Sequence, residues 1–151
     1  MRIWVDADAC PKVIKDILYS AAARTKTALI LVSNHALSTP SSPYITKMQV
    51  MSGFDVADDK IMQHIAPHDL VITADIPLAD AVVDKEAFAL NPRGELYTKA
   101  NIKQRLSIRD FSTHLRGTGV RTGGPATMTK REIQNFANAL DRILTQQRGN
   151  N

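Results

Sequence analysis

The chain has 151 residues, of which 44% are hydrophobic and 23% are charged, as in an ordinary globular domain. No run approaches the roughly 18 apolar residues of a membrane span, and no signal-peptide pattern opens the chain, so a cytoplasmic protein without a membrane partner is expected. The single cysteine, Cys10, excludes an internal disulfide. The net charge of +4, carried largely by a basic second half, moderately favours anionic partners such as nucleic acid, although charge alone is explained as well by a mildly basic soluble protein.

Strand and helix patterns alternate through the first ninety residues. Short apolar runs predict strands at residues 2–5, 27–32, 44–51, 70–74 and 87–90. Apolar residues at three- and four-residue spacing predict helices at 12–24, 57–65 and 77–85. Such alternation is typical of a three-layer α/β/α domain with a mostly parallel sheet. Residues 34–43 have a loop composition, so the connection between the second and third strands lacks the usual helix.

The second half of the chain predicts helices that pack on this sheet. Residues 98–116 suggest one or two amphipathic helices, and Thr129 with Glu132 has the spacing of a capping box that opens another. We therefore expect one domain over residues 1–151, with an α/β core at 1–95 and C-terminal helices at 96–147. The apolar residues expected to be buried there are Phe111, Leu115, Ile133, Phe136 and Leu140.

Aspartates stand at or just beyond the ends of the predicted strands. Asp6 and Asp8 follow the first strand, and Asp75 follows the fourth, with Asp80 one helical turn further on. Asp58 lies near the start of a helix. Acids at the carboxyl ends of strands point into the crevice where open α/β sheets bind ligands. Because several carboxylates gathered there would repel each other, the pattern predicts a divalent cation such as Mg²⁺.

Three of these acids also have a structural interpretation, and acids such as Asp58 are common at a helix start because of the helix dipole alone. Asp8 precedes the first helix closely enough to be its N-terminal cap, and this interpretation is as well supported as a functional one. Asp75 precedes Pro77 and could cap the helix that begins there while also facing the crevice.

Three arginines are candidate contacts for a phosphorylated substrate. Arg93 lies between Pro92 and Gly94 and has no core position to fill. Arg116 and Arg121 accompany a glycine-rich stretch at 117–125, which lacks the lysine and the length of a phosphate-binding P-loop. That stretch could contact phosphates or form a simple turn.

Several segments together resemble the YaiI/YqxD family of bacterial proteins, which has no established biochemical activity. The segments are residues 3–11, 53–58, 69–79, 90–95, 109–111 and 122–125. The organisation is also similar to PIN-like nucleases, which hold Mg²⁺ or Mn²⁺ with strand-end acids and cut RNA or DNA. This resemblance implies that Asp6, Asp58, Asp75 and Asp80 are catalytic and metal-binding, with Asp8 as an additional ligand. It also implies that the strand before Asp6 lies beside the strand before Asp75.

Three functions follow as hypotheses. The first is a divalent-metal-dependent nuclease that acts on RNA or another nucleic acid and uses Mg²⁺ or Mn²⁺. The second is a non-enzymatic module that binds RNA or protein, with the acids serving only as caps. The third is a haloacid-dehalogenase-like phosphatase with Asp6 as nucleophile and Asp8 as general acid. Against it, the paired acids Asp58 and Asp59 precede Thr73, whereas such phosphatases place them after a strand-end threonine. The oligomeric state is left open.

Overall fold

The structure, a computed structural model, describes residues 1–53, 56–106 and 128–149. Its strands are β1 (Arg2–Asp6), β2 (Ala28–Ser33), β3 (Ile45–Gln49), β4 (Leu70–Ile72), β5 (Phe88–Leu90) and β6 (Leu96–Tyr97). Its helices are α1 (Lys12–Thr25), α2 (Val56–His64), α3 (Ile76–Asp84), α4 (residues 99–106) and α5 (Lys130–Gly149). A 3-10 turn, Ala7–Ala9, follows β1. The strands and helices expected in the first ninety residues are all present, whereas β6 was not predicted.

The six strands form one sheet in the order β3-β2-β1-β4-β5-β6. The first five are parallel, and β6 runs antiparallel to β5. In the register, Val5 of β1 lies beside Ile72 of β4, while Asp6 lies beside Val32 of β2. The mostly parallel sheet and the adjacency of β1 and β4 are therefore confirmed. Because the chain moves outward in opposite directions from β1 and β4, their carboxyl ends form the topological switch point.

Apolar residues on the two faces of the sheet bury two layers of helices. In β1, Ile3 and Val5 pack with α1 and α5, whereas Trp4 packs with α2 and α3 on the other face. This alternation follows from the period of two in a strand. The result is the three-layer α/β/α class that the sequence predicts, and the arrangement is consistent with a PIN-like organisation.

The parallel connection between β2 and β3 contains no helix in residues 34–44. The segment instead contributes Leu37, which packs against the same core cluster as α1. Lys47 of β3 donates a hydrogen bond to the Leu37 carbonyl at 2.9 Å and holds the loop against the sheet. The loop thus covers the edge of this face, where a crossover helix would usually lie.

Helix α5 contributes directly to the core on the α1 face. Phe136 and Leu140 are fully buried, and Ile133 is half-buried. Thr129 and Glu132 form the expected capping box, in which each backbone N–H donates to the other side chain, at 3.0 and 3.1 Å. Phe111 and Leu115 lie outside the described residues. Among the described helices, none is long and apolar enough to cross a membrane.

One acid has a clearly structural place at the amino end of the sheet. Asp69 is 4% exposed. Its carboxylate accepts hydrogen bonds from the Arg2 backbone and guanidinium, the Trp4 indole and the Ala66 backbone, at 3.0 to 3.3 Å. Such saturation offsets the cost of burying a charge. Asp69 therefore lies at the opposite edge from the strand-end acids.

Candidate functional site

Asp6 is the last residue of β1, at the switch point of the sheet. Its Oδ2 accepts a hydrogen bond from the Thr73 hydroxyl at 3.2 Å. Burial raises the pKa of the Asp6 carboxyl above its ordinary value, and the negative charges of Asp75 and Asp8 raise it further, against the opposing effect of the Thr73 bond. Asp6 is thus a carboxylate whose ionisation is disfavoured by its neighbours.

Asp75 combines the two roles that the sequence suggests. Its Oδ1 accepts from the Leu78 backbone N–H at 3.0 Å and caps α3, so the capping role is confirmed. Its own backbone N–H donates to the Thr73 hydroxyl, also at 3.0 Å. Thr73 is buried, with 1% of its surface exposed. Its hydroxyl links Asp6 at the end of β1 to the backbone of Asp75 at the start of α3.

Asp8 is fixed by the end of β2 and not by the first helix. Its Oδ1 accepts from the Ser33 hydroxyl at 2.7 Å and lies 2.8 Å from His35 Nδ1, while its Oδ2 accepts from the Asn34 backbone at 2.9 Å. The N-cap position of α1 is Pro11, with no side-chain capping bond. The capping interpretation of Asp8 is therefore wrong: the 3-10 turn after β1 directs its side chain toward β2.

These acids meet in one open cleft, which we call the acidic cleft. It has a volume of about 250 Å³. Its lining includes the four aspartates Asp6, Asp8, Asp58 and Asp75, together with Asn34, Met51, Gly53, Val56 and Ala57. Asp58 reaches it from the first turn of α2. Asp80 lies half-buried on α3 and does not belong to this lining.

The donor set of the acidic cleft bears on whether it could hold a metal ion. Within the described residues, no three His, Cys, Asp or Glu side chains are gathered closely enough to hold an ion by themselves. Magnesium does not require such a cage, because it usually binds through one or two carboxylates together with water and substrate phosphate oxygens. Asp6 and Asp75 both line the cleft and are linked through Thr73, which makes them the candidates for such a pair of carboxylates.

Of the three arginines predicted to bind substrate, one lies in the described part of the chain. Arg93 follows β5 and therefore lies at the same carboxyl edge of the sheet as Asp75. Its guanidinium is ion-paired with Glu132 at the start of α5. Arg116 and Arg121 lie outside the described residues. Cys10 is buried, and that burial raises the pKa of its thiol to about 12, so it lacks the thiolate character of a reactive cysteine.

Sequence reasoning missed the two hydroxyl residues that hold the aspartates of the site. Ser33 and Thr73 are both 1% exposed, and each donates its hydroxyl to an aspartate of the acidic cleft. Each follows an apolar run, at the end of β2 and just beyond β4. A hydroxyl residue at the end of a buried strand was thus the available signal, of the same kind that identified Asp6.

Together, the fold and the cleft define a doubly wound α/β protein with acidic side chains at its switch point. The chain belongs to the family described as "Uncharacterized BCR, YaiI/YqxD family", which matches residues 4–146. The predicted family membership is thereby confirmed, while the PIN-like relationship stays a prediction.

Full-length relatives support the same assignment. A UPF0178 protein of Colwellia psychrerythraea is 64% identical over 146 residues, covering 97% of both chains. UPF0178 proteins of Proteus mirabilis and Hahella chejuensis are 58% and 61% identical, over 98% and 95% of this chain and 98% and 96% of theirs. No solved structure matches the chain. These names carry no activity, so function must be argued from the site.

Proposed function

We propose that this protein is a divalent-metal-dependent phosphodiesterase that cleaves nucleic acid, with RNA as the favoured substrate. One observation carries the proposal: four aspartates from three separate segments of the chain line one cleft at the switch point of the sheet. An aspartate with only a structural role does not need to lie in a cleft with other aspartates. Asp69 illustrates the difference, because its partners satisfy it at the other edge of the sheet.

The raised pKa of the Asp6 carboxyl supports a cation as the partner of these carboxylates. The pKa of Asp6 is raised by burial and by the charges of Asp75 and Asp8, so the cleft as it stands disfavours its own negative charge. Asp6 and Asp75 would hold Mg²⁺ or Mn²⁺, with Asp58 and Asp8 nearby to complete the site or to orient bound water. When bound, such an ion polarises a phosphate oxygen and lowers the pKa of a water molecule.

The surrounding residues would position the substrate and the acids. Thr73 restrains the Asp6 carboxylate through its hydroxyl and accepts from the Asp75 backbone, while the Leu78 backbone N–H restrains the Asp75 carboxylate. Ser33 restrains Asp8 in the same way. Arg93 at the same edge of the sheet would contact a flanking phosphate, at the expense of its ion pair with Glu132. Because such contacts release counterions, binding should weaken as salt rises.

The test compares cleavage of end-labelled RNA by the wild type, Asp75→Asn and Asp59→Asn, each with Mn²⁺ and with a chelator. Asp59 neighbours Asp58 but is exposed and outside the lining of the acidic cleft, so it is a matched control. We expect cleavage by wild type and Asp59→Asn with Mn²⁺ only, and none by Asp75→Asn.

Three outcomes would contradict the proposal. Equal cleavage by all three proteins, or cleavage that persists in chelator, would assign the activity to another site or a contaminant. Retained RNA binding without any cleavage would instead favour the non-enzymatic module. A small phosphomonoester assayed in parallel separates phosphatase from phosphodiesterase activity.

A further inference from the structure

A second cavity of about 250 Å³ adjoins the acidic cleft on the β2–β3 side of the sheet. The two cavities are separated by a hydrogen-bonded wall. Asp8 and Asn34 line the acidic cleft, whereas Ser33 and His35 line the second cavity. Since the Asp8 carboxylate contacts both Ser33 and His35, at 2.7 and 2.8 Å, a ligand in one cavity lies directly beside the other.

The second cavity combines an apolar floor with a polar rim. Buried Leu31 and half-buried Leu37 provide the apolar surface, on the face of the sheet that α1 covers. An imidazole, an ammonium and an amide stand at the rim, from His35, Lys47 and Gln49. A mainly apolar pocket with a few convergent polar groups is typical of a small-molecule site. Pockets for drug-sized ligands have volumes of roughly 300–1,000 Å³, so this smaller cavity suits a single heterocycle.

The charge of the second cavity differs from that of the acidic cleft. Among the described residues that line it, none is Asp or Glu, and Lys47 contributes a positive charge. The Lys47 ammonium is held at the cavity by its bond to the Leu37 carbonyl. The lining of the second cavity thus carries a positive charge of its own, while the Asp8 carboxylate lies behind Ser33 and His35 in the shared wall.

We propose that the second cavity binds the base of a nucleotide adjoining the phosphate that is held at the acidic cleft. This inference rests on the proposed function and adds a specificity subsite to it. The apolar floor would contact the faces of the base, while Gln49 and His35 would contact its polar edge. Lys47 would lie near the attached phosphate. The occupant is therefore a nucleotide unit of the bound strand.

The test measures binding of AMP, UMP and ribose 5-phosphate to the full chain in EDTA by NMR titration. In wild type we expect both nucleotides to bind at least about tenfold more tightly than ribose 5-phosphate. Their shift changes should involve the Ala36 and Leu37 methyl groups. Ala36 is exposed and lines the cavity, so Ala36→Trp fills it from outside with little strain on the fold. Ser38→Trp is the control, because Ser38 is exposed on the same loop but outside the lining.

We expect Ala36→Trp to abolish the preference for nucleotides over ribose 5-phosphate and Ser38→Trp to keep it. Equal binding of all three compounds by wild type, no binding of any nucleotide, or an unchanged preference in Ala36→Trp would overturn the subsite. These readouts need neither metal nor cleavage. Failure of the subsite therefore stays distinct from failure of the proposed function, which Asp75→Asn tests by cleavage.

Discussion

Ionisation of Asp6 costs folding free energy because burial and two neighbouring carboxylates all raise its pKa in the folded state. Below the ordinary pKa of an aspartate, the group is protonated in both folded and unfolded chains and imposes no cost. As pH rises through the folded pKa, the unfolded chain gives up its proton more readily, so stability is lost. The cost persists at neutral pH.

Asp6→Asn should therefore raise the melting temperature of the metal-free protein at pH 7, since Asn cannot ionise and keeps an oxygen for the Thr73 bond. Each kcal/mol by which the substitution stabilises the folded state should raise the melting temperature by about 2–4 °C in a chain of this size. Thermal unfolding in EDTA at pH 7 and near pH 3 measures the effect, which should vanish at the lower pH. Asp59→Asn serves as control, and a lower melting temperature for Asp6→Asn at pH 7 would contradict the argument.

Thr73 is expected to matter through its hydroxyl and not through its volume. Thr73→Val keeps the shape but removes the donor to Asp6 and the acceptor for the Asp75 backbone. Leaving these partners unsatisfied should cost about 1–3 kcal/mol in denaturant unfolding, and Thr73→Ser should cost less. A carbon-detected NMR titration should also find the pKa of Asp6 raised further in Thr73→Val. Equal stability and equal pKa in the two variants would refute this role.

For single residues, the sequence predicts a functional aspartate more readily than the residues that hydrogen-bond to it. Asp6 and Asp75 were identifiable because a charge directly after a buried apolar run is costly without a purpose. The role of Thr73 and Ser33 depends on which strands are neighbours, and that is a property of the sheet. Asp8 shows the same limit, because its partners come from β2, 25 residues away at Ser33.

At the scale of elements, the turn after β5 fixes the start of α5. Gly94 has φ +98°, and a Cβ there would lie 2.7 Å from backbone atoms of Asn135 and Phe136. Arg93 in the same turn pairs with Glu132, whose other carboxylate oxygen completes the capping box with Thr129. The turn and the helix are therefore packed too closely to admit a side chain.

Gly94→Ala should consequently destabilise the protein by roughly 2 kcal/mol or more, because left-handed strain adds to a clash with backbone. Denaturant unfolding measures this cost. Asn135→Ala in the same chain should not restore stability, since the backbone contacts remain. A neutral Gly94→Ala, or rescue by Asn135→Ala, would show that α5 tolerates displacement at this point.

Strands and helices were predicted correctly where the segment was long enough to show a regular spacing of apolar residues. The buried runs of β1, β2 and β4 and the capping box of α5 were all recognisable. Strand β6 has two residues, Leu96–Tyr97, which is too short for any periodicity. Its formation depends on the turn containing Gly94, so it follows from tertiary packing.

At the scale of the whole molecule, the acids are sorted between the two edges of the sheet. Asp69 anchors the amino edge with Arg2 and Trp4, while the carboxyl edge gathers Asp6 and Asp75 at the switch point. The pairing of β1 with β4 creates this gathering. It was predicted from the resemblance to PIN-like nucleases, since periodicity alone does not give strand order.

Binding of Mn²⁺ is the decisive measurement, because cleavage at this site depends on the acidic cleft holding a cation. Titration followed by electron paramagnetic resonance measures the free ion for wild type, Asp6→Asn, Asp75→Asn and the control Asp59→Asn. We predict binding by wild type and Asp59→Asn, weakened at least about tenfold in Asp6→Asn and Asp75→Asn. No binding by wild type, or equal binding by all four proteins, would rule out a cation site at Asp6 and Asp75.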